Sequence, residues 1–222
     1  MPFRSLTVLP DANTVAQRAA AIIGDLLRGP PRRVRVVLAG GTTPRLCYER
    51  LAATDLPWGH AEILFGDERC VRPDHPDSNF RMANESLLRV VSAAAVRRIP
   101  AELGAEVAAD LYSTVVAEAP LDLVLLGIGP DGHTASLFPG HAALAATGLT
   151  VPVHDAPKPP LDRVSLTLRA INSARRVLIL ATGRDKAEAV RRARDGVVPA
   201  GLIEDADWLV SADAAAEVAA HQ

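Results

Sequence analysis

The chain is poor in aromatic residues, 4% of 222, so its core has to be built from Val, Leu, Ile and Ala. It has two cysteines, Cys47 and Cys70. With no close-spaced partner they make neither a disulfide scaffold nor a zinc site, and they fit a reducing cytoplasm. No run of about 18 apolar residues occurs, so nothing is expected to span a membrane. Met1–Pro10 lacks the basic stretch and long apolar run of a signal peptide. Charge of one sign is also missing: the formal net charge is −2, which argues against nucleic acid or an anionic membrane as partner. The short basic run Arg191, Arg192, Arg194 sits beside Asp195 and reads as a solvated helix face. GxSxG and HExxH are absent, so no serine triad and no metal-ligand spacing is legible.

What is present reads as globular: 49% hydrophobic and 23% charged residues. The length predicts a single domain over residues 1–222. Apolar runs alternate with helical patterns. Asp11–Arg28 has apolar residues at helical spacing and stops at Gly29-Pro30-Pro31. Val34–Leu38, Ile63–Phe65, Leu121–Ile128, Val164–Leu168, Val177–Ala181 and Trp208–Val210 read as strands. Helices are predicted from Pro44 with Thr43 as N-cap, over Asn79–Val91, over Gly104–Glu118 with Val107, Leu111 and Val115 on one face, over Asp185–Arg194, and in the Ala-rich tail. Val151–Pro160, with four prolines, is expected to be an ordered crossing loop. This alternation predicts an α/β fold, Rossmann-like, with a mostly parallel sheet and helices on both faces.

In such sheets ligands bind at the C-terminal ends of the strands, and the polar segments cluster there. Gly40-Gly41-Thr42-Thr43-Pro44 joins a strand to a helix, where glycines and free N–H groups suit an anion; a plain turn with a helix cap would look the same. Phe65-Gly66-Asp67-Glu68-Arg69 sets three charges at the next strand end, costly to bury without a purpose. In Gly127-Ile128-Gly129-Pro130-Asp131-Gly132-His133 the glycines permit unusual backbone angles. Asp131 lies close enough to share a site with His133, which can take a proton from water. Lys158, Arg163 and Lys186 form a cationic set, with Lys158 in a proline-restricted loop. His75 sits in a stretch of turn and cap residues.

On these residues the chain resembles the 6-phosphogluconolactonase family, within the glucosamine-6-phosphate isomerase/deaminase superfamily. The matching stretches are LAGGTTP at 38–44, FGDERCV at 65–71, GIGPDGHTASLFPG at 127–140, APKPPLDRVSLT at 156–167 and ATGRDKAEAV at 181–190. The resemblance implies hydrolysis of 6-phospho-glucono-δ-lactone to 6-phosphogluconate in the oxidative pentose phosphate pathway, with His133 as the base and Asp131 orienting it. Gly40, Gly41, Thr42, Thr43, Arg69 and Lys158 fall where the family holds the substrate, chiefly its phosphate, and Asp67 is placed with them. Arg163 and Lys186 match phosphate positions of the deaminase relatives. No cofactor and no metal is implied, and the oligomeric state is left open. Two rivals remain. An aminosugar-phosphate deaminase would carry a Glu where this chain has Phe138, and a non-catalytic sugar-phosphate sensor would need a DNA-binding segment.

Overall fold

A computed structural model describes residues 3–30 and 32–219. In chain order the first half comprises β1 (Phe3–Leu9), α1 (Ala12–Leu27), β2 (Val34–Leu38), α2 (Thr42–Ala52), β3 (Ala61–Phe65), β4 (Asp67–Arg69), α3 (Asn79–Ala83), β5 (Ala95–Val96) and α4 (Ala105–Ala117). The second half comprises β6 (Leu123–Gly127), β7 (Thr150–Val153), β8 (Arg163–Leu166), α5 (Leu168–Asn172), β9 (Val177–Ala181), α6 (Ala187–Arg194), β10 (Ala206–Ser211) and α7 (Ala216–Ala219).

Seven strands form one sheet in the order β1-β10-β9-β6-β2-β3-β5, and every adjacent pair is parallel. All residues of β2, β3 and β9 are buried, so both faces of the sheet centre are covered, as an all-parallel sheet requires. The expected α/β architecture is therefore present. A second, three-stranded antiparallel sheet, β4-β8-β7, was not foreseen. It makes a strand of the charged segment Asp67–Arg69, and its strand Thr150–Val153 takes in the first three residues of the expected crossing loop Val151–Pro160.

Local chemistry fixes the element ends. Asp11 caps α1 by accepting from the Thr14 N–H at 2.8 Å. The helix after β2 begins at Thr42 with Gly41 as N-cap, so Thr43 is not the cap; its hydroxyl instead meets the Thr182 hydroxyl at 2.6 Å. Asn79–Val91 is not one α-helix: a turn of π-helix, Asn84–Leu88, follows α3 and ends it. Of the expected apolar face of α4, Val115 packs partly against the core and the other two residues turn outward. Val107 and Leu111 are 51% and 48% exposed, while Ala105, Ala108, Ala109, Tyr112 and Val116 face in. Both faces of this helix are apolar, and Tyr112 decides between them. Its hydroxyl accepts from Phe65 N–H at 2.7 Å and donates to Phe65 C=O at 3.0 Å. Tyr48 does the same for Ala39, at 2.8 Å in each direction. The chain's two tyrosines thus satisfy the last backbone groups of β3 and the residue following β2, where sheet pairing stops and the site loops begin. Burial pushes both phenols above the usual tyrosine range, which keeps them protonated as donors.

Candidate active site

A cleft of about 830 Å³ opens at the C-terminal ends of the parallel strands, where doubly wound sheets bind ligands. The loops after β2, β6, β9 and β10 line it, joined by Asp67 and Arg69 of β4 and Arg163 of β8. Of the residues singled out in the sequence, Gly40, Gly41, Thr42, Thr43, Asp67, Arg69, His133, Arg163 and Lys186 all line this one space. Lys158 does not. Its side chain is exposed, and the residue contributes a backbone carbonyl that accepts from Arg163 Nη2 at 2.8 Å. His75 stays in its exposed turn.

The loop after β6 is built around His133. Thr134 ties back to the Gly127 carbonyl at 2.9 Å, and Gly129 N–H bonds the His133 carbonyl at 2.9 Å. Of the three glycines, only Gly132 uses the left-handed backbone region (φ +87°). Gly129 serves a different need: a Cβ there would stand 2.1 Å from the His133 ring. Ala135, which lines the cleft, is held at φ +48° without being a glycine, the kind of local strain that concentrates at functional sites.

His133 Nδ1 lies 2.5 Å from Asp131 Oδ1, and the same oxygen accepts the His133 backbone N–H at 3.1 Å. Burial pushes the Asp131 carboxyl up, but the His133 hydrogen bonds and charge outweigh it and hold it below the ordinary carboxylate range. An ionised Asp131 only accepts, so Nδ1 carries the proton and a neutral ring presents a bare Nε2. Phe138 packs against the imidazole, ring centres 4.8 Å apart, and is 4% exposed.

The three charges at the end of β3 part company through strand alternation. Glu68 turns away from the cleft and accepts from Ser78 Oγ and the N–H groups of Arg69, Asn79 and Phe80. Asp67 and Arg69 face the cleft. Asp67 is nearly buried and accepts from Ser136 Oγ at 2.6 Å and Asn79 Nδ2 at 3.1 Å. Arg69 sits directly across the β4–β8 ladder from Arg163. Like charges directly opposite are unfavourable on a sheet. Burial, and then the Arg69 charge, lower the Arg163 guanidinium from its usual value. Arg163 is held by the carbonyls of Lys158 and Pro160 and lies 5.4 Å over the Phe138 ring. The buried Arg69 Nε has no protein partner. Two opposed cations and a spare donor make a place for an anion. Across the cleft, the start of α2 has no side-chain cap, leaving N–H groups free, and Lys186 stands nearby with Asp185 at 2.8 Å from its amine.

Sequence reasoning missed Asn79, Thr182, Ser211 and Asp213, which also line the cleft. Thr182 and Ser211 stand at the ends of β9 and β10, so the strand-end rule that found the other loops would have found them. Asn79 is the first residue of α3, whose cap is Ser78, and nothing in a helix start marks it as a cleft residue. Among the described residues, no three His, Cys, Asp or Glu side chains converge to hold a metal ion, and no helix is long and apolar enough to cross a membrane.

An imidazole backed by a carboxylate, in a strand-end cleft also lined by cations, is an arrangement suited to chemistry on a small anionic molecule. Comparison with known proteins gives the family. Residues 10–211 match the family described as glucosamine-6-phosphate isomerases/6-phosphogluconolactonase, and the chain belongs to it. Human 6-phosphogluconolactonase is 36% identical over 87% of this chain and 81% of its own length. The 6-phosphogluconolactonase of a Nostoc strain is 34% identical over 97% of this chain and 98% of its own. The crystal structure of 6-phosphogluconolactonase from Thermotoga maritima superposes with a TM-score of 0.84 at 32% identity, covering 93% of this chain and 99% of that one. A monomeric glucosamine-6-phosphate deaminase, 22% identical with a TM-score of 0.78, covering 96% of this chain and 99% of that one, shares the fold.

Proposed function

We propose that this chain hydrolyses 6-phospho-glucono-δ-lactone to 6-phosphogluconate, with His133 as the base that activates water. Lactone hydrolysis in the pentose phosphate pathway is the activity of its 6-phosphogluconolactonase relatives, and the family match carries it here. The observation that supports the role of His133 is its 2.5 Å contact with Asp131, which sets the tautomer and leaves the lone pair on Nε2, on a residue that lines the cleft.

Nε2 takes a proton from water as the water oxygen attacks the lactone carbonyl carbon. The tetrahedral intermediate collapses, the bond from that carbon to the ring oxygen breaks, and the imidazolium returns its proton to the leaving oxygen. One residue both takes and gives the proton, so no second acid is needed. Phe138 seals one side of the imidazole. Being apolar it transfers no proton, which suits hydrolysis better than deamination. The phosphate lies against the cations, and its binding positions the distant carbonyl. Arg69 and Arg163, opposed on the ladder, are the main phosphate contacts, with Thr42, Thr43 and Lys186 contributing from the α2 side. Lys158 acts through its carbonyl. The compartment is the cytoplasm, in keeping with two free thiols, and no nucleic acid is a partner.

The arginine pair provides the test. Charge-assisted contacts contribute about 1.5–3 kcal/mol each. Arg69→Ala and Arg163→Ala are therefore expected to lower kcat/KM on the phosphorylated lactone at least tenfold each, by roughly RT ln 10 or more, with much smaller losses on unphosphorylated gluconolactone. Equal losses on the two substrates would remove phosphate recognition from these residues.

A further inference from the structure

β7 and β8 run antiparallel, with Val153 paired to Arg163, and residues 154–162 form the loop between them. The flanking residues close its neck: His154 Nδ1 lies 2.6 Å from Asp162 Oδ1, and inside it Ala156 N–H bonds the Leu161 carbonyl at 3.0 Å. The other ring nitrogen, Nε2, lies 2.8 Å from Glu106 Oε1 on α4. This loop supplies both carbonyls that hold the Arg163 guanidinium. None of His154, Asp162 and Glu106 lines the cleft.

We propose that His154 is a positioning residue for Arg163: as an imidazolium it joins Asp162 to Glu106, fixes the loop that aims the guanidinium, and so strengthens binding of the phosphorylated ligand. The inference rests on the reading of Arg163 as a phosphate contact. A carboxylate only accepts hydrogen bonds, so a ring with a carboxylate at each nitrogen must donate from both. A neutral ring has one N–H, and the second carboxylate would then face a lone pair.

The Asp162 hydrogen bond, against slight burial and with help from Glu106, raises His154 above the usual imidazole range. A raised value in the folded state means that the clamp is complete at lower pH and is lost as pH rises through that value. The other titratable groups near the ring are Cys70, His141 and Asp155. Cys70 lies near both carboxylates, but burial, then the charges of Asp162, Glu106 and Glu68, push its thiol up to about 11. His141 reaches only the backbone carbonyl of His154, at 2.8 Å, and its own Nδ1 accepts the Ala143 N–H. Asp155 is the next charge along the chain.

The three side chains are 47%, 59% and 67% exposed, so each contact is weak and the effect modest. Exposed pairs of this kind correspond to about a 2- to 5-fold change in an equilibrium constant. The experiment is the dissociation constant of 6-phosphogluconate, measured by calorimetry from mildly acidic to alkaline pH. Wild type, His154→Gln and His154→Arg are compared, each also in an Arg163→Ala background. Ratios between variants cancel the ionisation of the phosphate itself. At mildly acidic pH, His154→Gln is expected to bind about 2- to 5-fold more weakly than wild type. The gap should close on the alkaline side, and the permanently charged His154→Arg should show no alkaline loss. Without Arg163 the gap should vanish at every pH, because His154 acts through that residue. A ratio of His154→Gln to wild type that does not change with pH, or a gap that survives Arg163→Ala, overturns the proposal. If Arg163→Ala alone leaves 6-phosphogluconate binding unchanged, the phosphate reading of Arg163 fails first and takes this inference with it.

Discussion

His133→Ala is expected to lose about 10²–10⁴-fold in kcat while the fold survives, the range general-base catalysis contributes. The imidazole lines an open cleft and is 24% exposed, with Asp131 as the partner of its ring. Removing it therefore leaves space that water can fill, and little core packing goes with it. His133→Gln keeps part of the volume and offers no comparable base, so it should lose nearly as much. Asp131→Asn should also be slow. An amide in place of the carboxylate can present its own N–H to Nδ1, which moves the ring proton to Nε2 and removes the lone pair from the cleft. Steady-state rates with the no-enzyme rate subtracted check this, alongside the circular dichroism of each variant. A folded His133→Ala that keeps most of the wild-type rate would remove the residue from the mechanism.

Glu62→Ala should destabilise the fold by about 3–5 kcal/mol, the usual cost of removing one partner of a buried ion pair, and leave the chemistry of the folded fraction intact. Glu62 is in β3, fully buried, at the end of the sheet away from the cleft. Arg35 Nε donates to it at 3.0 Å, Arg33 Nη2 lies at 2.7 Å and Arg97 Nε at 3.0 Å. Arg35 is itself 1% exposed and also donates to carbonyls at the end of α4, those of Val115, Val116 and Ala119. Among the described residues Glu62 is the one carboxylate that pairs with the Arg35 guanidinium. Burial pushes the Glu62 carboxyl up, but the hydrogen bonds and charges of Arg33, Arg35 and Arg97 outweigh this and hold it below the ordinary glutamate value. A depressed value in the folded state contributes stability above the unfolded value and loses it as pH falls through the folded one. The stability difference between wild type and Glu62→Ala should accordingly narrow as pH falls below the ordinary glutamate range. Urea unfolding at neutral and acidic pH measures it. A loss below about 1 kcal/mol at neutral pH, the level of an exposed pair, would mean that the network does not act as a buried one.

Legibility in the sequence follows burial. Val34–Leu38 and Val177–Ala181 are strands at the expected bounds because strands covered on both faces show as unbroken apolar runs. Phe3–Leu9 was not recognised. It is an edge strand, mostly exposed, and Arg4 and Ser5 tie it to Asp207 on its neighbour, a pairing that no local pattern announces. Asp67–Arg69 has no apolar signal at all and becomes a strand only through Arg163–Ser165, far along the chain. The same distance explains the cations. That Arg69 and Arg163 face each other is a fact of register, and Lys158 is expected in the site from the family resemblance, while neither the motif nor its flanking prolines says which way its side chain points. The Asp131–His133 pair was legible because two residues in one turn between glycines meet whatever the rest of the fold does.

The most direct measurement puts the wild-type protein in two assays at once. The lactone is generated in place and its loss followed above the no-enzyme rate, while ammonia release from glucosamine 6-phosphate is recorded in parallel. Lactone hydrolysis well above background with no ammonia is expected, because a single base at His133 serves hydrolysis and apolar Phe138, 4.8 Å from its ring, adds no second proton-transferring group. Ammonia release without a lactonase excess would contradict it.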